Sequence, residues 1–249
     1  DIFEYMALGL IVTHYIFGRE VYHNLENNSF KKRILYYNCA AYGLGLQGPD
    51  IFFYLSSFLC VRRSQYRCSC PCLRDQCLFQ GLIESRNQFS SRTDLNIAEA
   101  YLIGFLGHYT LDTICHPYIY AMTHYKDKKE KAYFSRHAYL ETDIDTALLD
   151  LKLHRQPCNF HTEDTIRLTH RQKHVIASML YYAYRYAFPD VKFRKYTMYL
   201  AIFYTLVLKV NPVHVGILML ITKFWDAIND PLIGALVDSH KNKGKGKFI

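Results

Sequence analysis

The sequence predicts an all-α protein. Apolar residues recur at helical spacing through most of the first 190 residues, and no stretch of useful length alternates apolar with polar residues as a strand would. Half of the 249 residues are hydrophobic, enough for a sizeable core and against disorder over most of the chain.

The elements follow in order. Residues 1–25 read as one helix, with Leu10, Ile11, Tyr15, Val21 and Tyr22 on a broadly helical spacing. Asn27, Asn28 and Ser29 end it, and a second helical stretch runs to about residue 42. Gly43, Gly45, Gly48 and Pro49 predict a turn that delivers Asp50 at the head of an aromatic run, 51–54. Residues 60–80 are cysteine- and arginine-rich, without clear period. Asp94 is placed to cap a long helix from 95 to about 114, with Pro117 expected to interrupt the backbone soon after. A charged connector at 126–131 precedes helices at about 134–153 and 165–188. The chain changes character near Pro189, where a Tyr-rich helix gives way to strongly apolar runs, predicting domains of 1–190 and 191–249.

Charge and cysteine usage add little. The net charge of +8 is modest and dispersed, apart from Lys241, Lys243, Lys245 and Lys247, so a nucleic-acid partner is not expected. Eight cysteines in so long and hydrophobic a chain do not read as a disulfide framework, although Cys60, Cys68, Cys70, Cys72 and Cys77 crowd together. Residues 6–12 are too short for a secretory signal, and the compartment stays open.

The strongest local pattern is His108, Asp112 and His116. Residues four apart on an α-helix share a face and drift by only about 40° per step. The three form a stripe of imidazole, carboxylate, imidazole, with Asp112 placed to bridge metals on either side. Gly104, Phe105, Leu106, Gly107, Leu111 and Ile114 surround the stripe with residues of buried type, where polar groups need partners. Neutral imidazole nitrogen and carboxylate oxygen are what Zn²⁺ takes in a site with an open position. A second pair, His137 and Glu141, repeats the spacing on another helix, which suits a metal site in a bundle core. Asp143 and Asp145 are expected to face solvent. His23, His124, His154, His161, His170 and His174 sit among polar neighbours and are expected at the surface, and Tyr181, Tyr182, Tyr184 and Tyr186 to pack against a bundle.

Thr13-His14-Tyr15-Ile16-Phe17-Gly18, Gly48-Pro49-Asp50, Gly107-His108-x3-Asp112-x3-His116-Pro117 and His137-x3-Glu141 occur in the order seen in the bacterial zinc-dependent phospholipase C family. The chain resembles that family over residues 10–185. The resemblance implies an all-helical domain with two to three zinc ions in a cleft. Asp112 would bridge two zincs, one shared with His108 and one with His14. His116, His137 and Glu141 would hold the remaining zinc, and Asp50 would match the carboxylate beside the attacking water, as general base or ligand. The implied chemistry is hydrolysis of phosphodiesters, with a phospholipid or another phosphodiester as substrate and a membrane surface as partner. A nuclease or phosphomonoesterase remains open, because related chemistries share this kind of fold.

The family pattern has a further zinc-binding histidine between the positions matching Asp50 and His108, and residues 51–107 contain none. Either a thiolate of Cys68, Cys70 or Cys72 substitutes, or the segment has drifted and one metal position is weak. A catalytically dead, membrane-associated metal-binding module is therefore the alternative reading. The tail after 196 resembles the start of the glycoside–pentoside–hexuronide:cation symporters in its Trp225-Asp226-x3-Asp230-Pro231-x2-Gly234-x3-Asp238 signature. That resemblance implies a partial transmembrane segment in an apolar helical hairpin at 191–249, a transporter fragment fused to the first domain and too short to transport.

Overall fold

A computed structural model describes residues 11–48, 71–124 and 131–187, and these are all-helical, as the sequence predicts. Seven helices are described: α1 Ile11–Asn24, α2 Phe30–Tyr37, α3 Cys39–Leu46, α4 Pro71–Ser85, α5 Arg92–Met122, α6 Lys131–Leu153 and α7 His170–Ala187. Short 3₁₀ turns follow α4 and connect α6 to α7. None of the described helices is long and apolar enough to cross a membrane. Asp50, the cysteine-rich stretch at Cys60, Cys68 and Cys70, the Cys72 side chain, the charged connector at 125–130 and the apolar tail lie outside the described residues.

Several boundaries differ from those expected, each for a local reason. The second helical stretch is two helices broken at Asn38. The Asn38 side chain and backbone N–H both donate to the Ile34 carbonyl, closing α2, while its own carbonyl accepts from Tyr42 N–H and opens α3. An asparagine competing for backbone hydrogen bonds is a helix breaker of this kind. Ser29 caps α2 by accepting from Lys32 N–H at 3.1 Å. Gly43 and Gly45 are not turn residues but lie inside α3, and among the described residues Gln47 and Gly48 turn the chain.

Helix α5 starts at Arg92 with Ser91 at its N-cap position, so Asp94 is a first-turn residue and not the cap. Asp94 instead accepts from Arg171 of α7 at 2.6 Å, and Ser91 Oγ accepts from the same guanidinium at 2.9 Å. The helix also runs through Pro117 to Met122. Proline removes one backbone donor and bends a helix without having to end it. The last helix begins at His170, not at 165. Thr169 and Gln172 form a reciprocal capping box, with Thr169 N–H donating to Gln172 Oε1 at 2.9 Å and Gln172 N–H donating to Thr169 Oγ1 at 3.2 Å.

The main core gathers Leu35, Leu44, Leu46, Leu82, Tyr101, Phe105, Ile176, Met179 and Leu180 from α2–α5 and α7. A smaller cluster of Val12, Ile16, Leu149 and Phe160 joins α1 to α6. Helices α3 and α5 cross backbone to backbone. A Cβ on Gly45 would meet the carbonyl oxygen of Tyr101, and one on Gly104 would meet that of Tyr42. Tyr42 Oη also donates to Gly18 O at 2.9 Å, tying α3 to α1. Gly104→Ala should lower unfolding free energy by roughly 1–3 kcal/mol, the usual cost of overpacking. A melting curve identical to that of the unaltered chain would show that the crossing has slack.

Candidate metal centre

Helices α1, α5 and α6 bring the six sequence-predicted ligands that lie in the described residues into two groups. Their donor atoms form one set from His14, His108 and Asp112, and another from His116, His137 and Glu141. Asp50, expected to complete the site, lies outside the described residues.

The imidazoles of the inner group are buried, and Asp112 is 25% exposed. His14 and His108 are 2% and 3% exposed, and their rings stack at 4.3 Å between centroids. Asp112 faces both, with Oδ1 3.2 Å from His14 Nε2 and Oδ2 3.1 Å from His108 Nε2. Burial would push the Asp112 carboxyl up, but the imidazoles of His108 and His14 that face it outweigh burial and hold it well below the usual carboxylate range. Donors held tetrahedrally at about 2.0–2.1 Å from an ion stand roughly 3.3 Å apart, close to these separations.

His108 is held from behind. Its Nδ1 donates to the carbonyl of Leu46 at 3.1 Å, leaving Nε2 to face Asp112. The chain then turns at Gly48, whose φ of 54° is left-handed. Gly48 lies so close that a Cβ there would run into the His108 ring.

The outer group is wetter, with His116, His137 and Glu141 at 25%, 17% and 13% exposed. Glu141 Oε1 is 2.6 Å from His137 Nε2 and 4.0 Å from His116 Nε2. His116 Nδ1 donates to the Asp112 carbonyl at 3.0 Å, so its Nε2 also points at the carboxylate partner. The two imidazoles stack at 5.6 Å. His116 Nδ1 stands 3.7 Å from Asp112 Oδ1, so the groups adjoin along α5. Both donor sets, a carboxylate with two imidazoles each, fit Zn²⁺.

Residues 13–196 match the family model described as zinc dependent phospholipase C. The chain belongs to the zinc-dependent phospholipase C family. Residues 189–249 match the model for MFS/sugar transport proteins, in keeping with the two-part composition of the sequence. No curated protein and no solved structure matches the chain.

The phospholipase C-like helices correct two expectations. Asp145 does not face solvent. It is 2% exposed, and its carboxylate accepts from Val12 N–H at 3.0 Å, Thr13 N–H at 2.8 Å and the Thr13 hydroxyl. Burial pushes its carboxyl up to about 6 against the pull of those bonds. Its place was readable: it follows Glu141 by four residues, as Glu141 follows His137. Nor is the stripe on α5 enclosed on every side, since Leu106 and Ile114 are 49% and 68% exposed while Gly104 and Phe105 are buried. Asp143 is exposed as expected, and so are His23, His124, His154, His161, His170 and His174. Of the tyrosines on α7, Tyr184 is buried in the core, whereas Tyr182 and Tyr186 are exposed. The supporting roles of Leu46 and Gly48 left no sequence signal beyond the Gly48-Pro49-Asp50 motif.

Proposed function

We propose that this chain is a zinc-dependent hydrolase of phosphodiester bonds, most like phospholipase C, with a phospholipid as substrate. The observation that carries the reading is the pair of adjoining three-donor groups on α1, α5 and α6, in a chain of the zinc-dependent phospholipase C family. His14, His108 and Asp112 would hold the inner zinc, with Asp112 as the bridge if a third ion shares it. His116, His137 and Glu141 would hold the outer one. When bound, zinc supplies Lewis acidity toward phosphate oxygens and lowers the pKa of water.

The protein's own groups do the rest. Leu46 O fixes the tautomer of His108, and the Asp112 carbonyl fixes that of His116. Asp112, kept ionised, offers one oxygen to each inner imidazole. Asp50 is proposed to take the proton of the attacking water. It follows Gly48 by two residues in the sequence. The Gly48 backbone in turn lies against His108.

A second reading, metal binding with little or no turnover, is favoured by the absence of any histidine in residues 51–107. The segment 191–249 is then best taken as an appended symporter-like piece, and 1–190 as the metal domain. Both readings expect at least two zinc ions per chain by elemental analysis. Phosphatidylcholine hydrolysis on the same sample, abolished by chelator, supports the first, and zinc without turnover supports the second. Protein free of zinc after growth in zinc-supplemented medium would rule out both.

A further inference from the structure

Helix α6 carries four residues at successive four-residue steps: His137, Glu141, Asp145 and Leu149. The first two belong to the outer metal group, and Leu149 belongs to the apolar cluster with Val12, Ile16 and Phe160. Asp145 lies between these two roles. Its buried carboxylate accepts from the backbone of Val12 and Thr13 and from the Thr13 hydroxyl. Those are the residues immediately before His14, in the first turn of α1. Backbone N–H groups of a first helical turn have no intrahelical acceptor, and a carboxylate there is favoured by both hydrogen bonding and the helix dipole.

We propose that Asp145 is a positioning residue for the inner metal group: it fixes the first turn of α1, and through it His14, against the ligands on α5 and α6. The inference rests on the proposed reading of both groups as zinc sites. Its content is an asymmetry. His14 is one residue from Thr13, so losing the carboxylate loosens the turn that carries an inner ligand. The outer ligands sit on α5 and on α6 itself, upstream of Asp145, and are not supported through α1. The apolar cluster of Val12, Ile16, Leu149 and Phe160 still joins the two helices when the carboxylate is removed, so the fold survives while the turn loses its acceptor.

The test is zinc titration of the full metal-stripped chain, read by calorimetry, with Co²⁺ absorption as a second reporter of ligand geometry. His14→Ala identifies the inner binding class. Asp145→Ala should weaken that same class on the order of 10–100-fold, the usual effect of losing a group that orients a ligand, and leave the other class unchanged. The double variant should bind no more weakly at the inner class than His14→Ala alone. Asp145→Asn keeps one acceptor oxygen and should fall between, and it decides the matter by the same criterion if Asp145→Ala fails to fold. Equal weakening of both classes, or a lower melting temperature with both affinities intact, would overturn the inference in favour of general packing. Failure of the unaltered chain to bind zinc would overturn the metal reading itself, and this inference with it.

Discussion

Asp112→Ala should remove more zinc than any other single ligand substitution, and phosphodiester hydrolysis should fall roughly a thousandfold or more. Among the described residues the carboxylate is the one group that meets both inner imidazoles, a separate oxygen to each, and it also borders His116 of the outer group. Its loss leaves His14 and His108 stacked at 4.3 Å in a buried site with no anion between them. The charge stabilisation that bound metal gives a phosphoryl transition state amounts to several kcal/mol, and each 1.36 kcal/mol is tenfold in rate. Glu141→Ala should cost less zinc, because it touches the outer group alone. Elemental analysis of Asp112→Ala, His14→Ala and Glu141→Ala, purified in parallel, ranks the three. An Asp112→Ala protein that keeps as much zinc as Glu141→Ala would remove Asp112 from the centre of the site.

Gly48→Ala should also be damaging without replacing a ligand. The φ of 54° disfavours any L-residue with a Cβ, at about 1–3 kcal/mol for an ordinary side chain. The added methyl would also drive into the imidazole of His108, whose other side is committed to the Leu46 carbonyl and Asp112. Stability should fall by the backbone cost, and zinc affinity by on the order of 10–100-fold as the ring is displaced. Gly48→Asn separates the two effects. Asparagine tolerates the left-handed conformation, so it should recover much of the stability while zinc binding stays weak. Normal zinc affinity in both variants would mean that His108 is not held by this contact.

What the sequence made legible was whatever repeats at a fixed interval along one helix. His108, Asp112 and His116, and separately His137 and Glu141, are found by counting in fours, and they meet as counted. The joining of His14 to this stripe came from a family pattern, since nothing local to α1 announces which helix it will face. Asp145 obeyed the same interval and was misplaced because a carboxylate next to another looks solvated until its donors are known. Boundaries failed where two signals competed. Pro117 reads as a stop, but a 31-residue helix anchored at Ile119 and over its N-terminal half absorbs one missing bond. The capping box Thr169-x-x-Gln172 was written in the sequence and marks the true start of α7. The Gly45–Gly104 crossing could not be read in advance, because two glycines far apart in the chain declare their contact only once the helices are paired.

The unequal burial of the imidazoles in the two groups would impose an order in time on any zinc they hold. His14 and His108 lie behind a surface at which His116, His137 and Glu141 are still wetted. An ion that reaches the inner imidazoles must shed its water farther from bulk solvent than one arriving at Glu141. If both groups hold zinc as proposed, exchange would be faster at the outer position, and removal of metal by a chelator should proceed in two kinetic phases. Reconstitution runs the other way: a protein refolded in scarce zinc would spend its early life half-loaded, and the history of a preparation, as much as its sequence, would set how active it is.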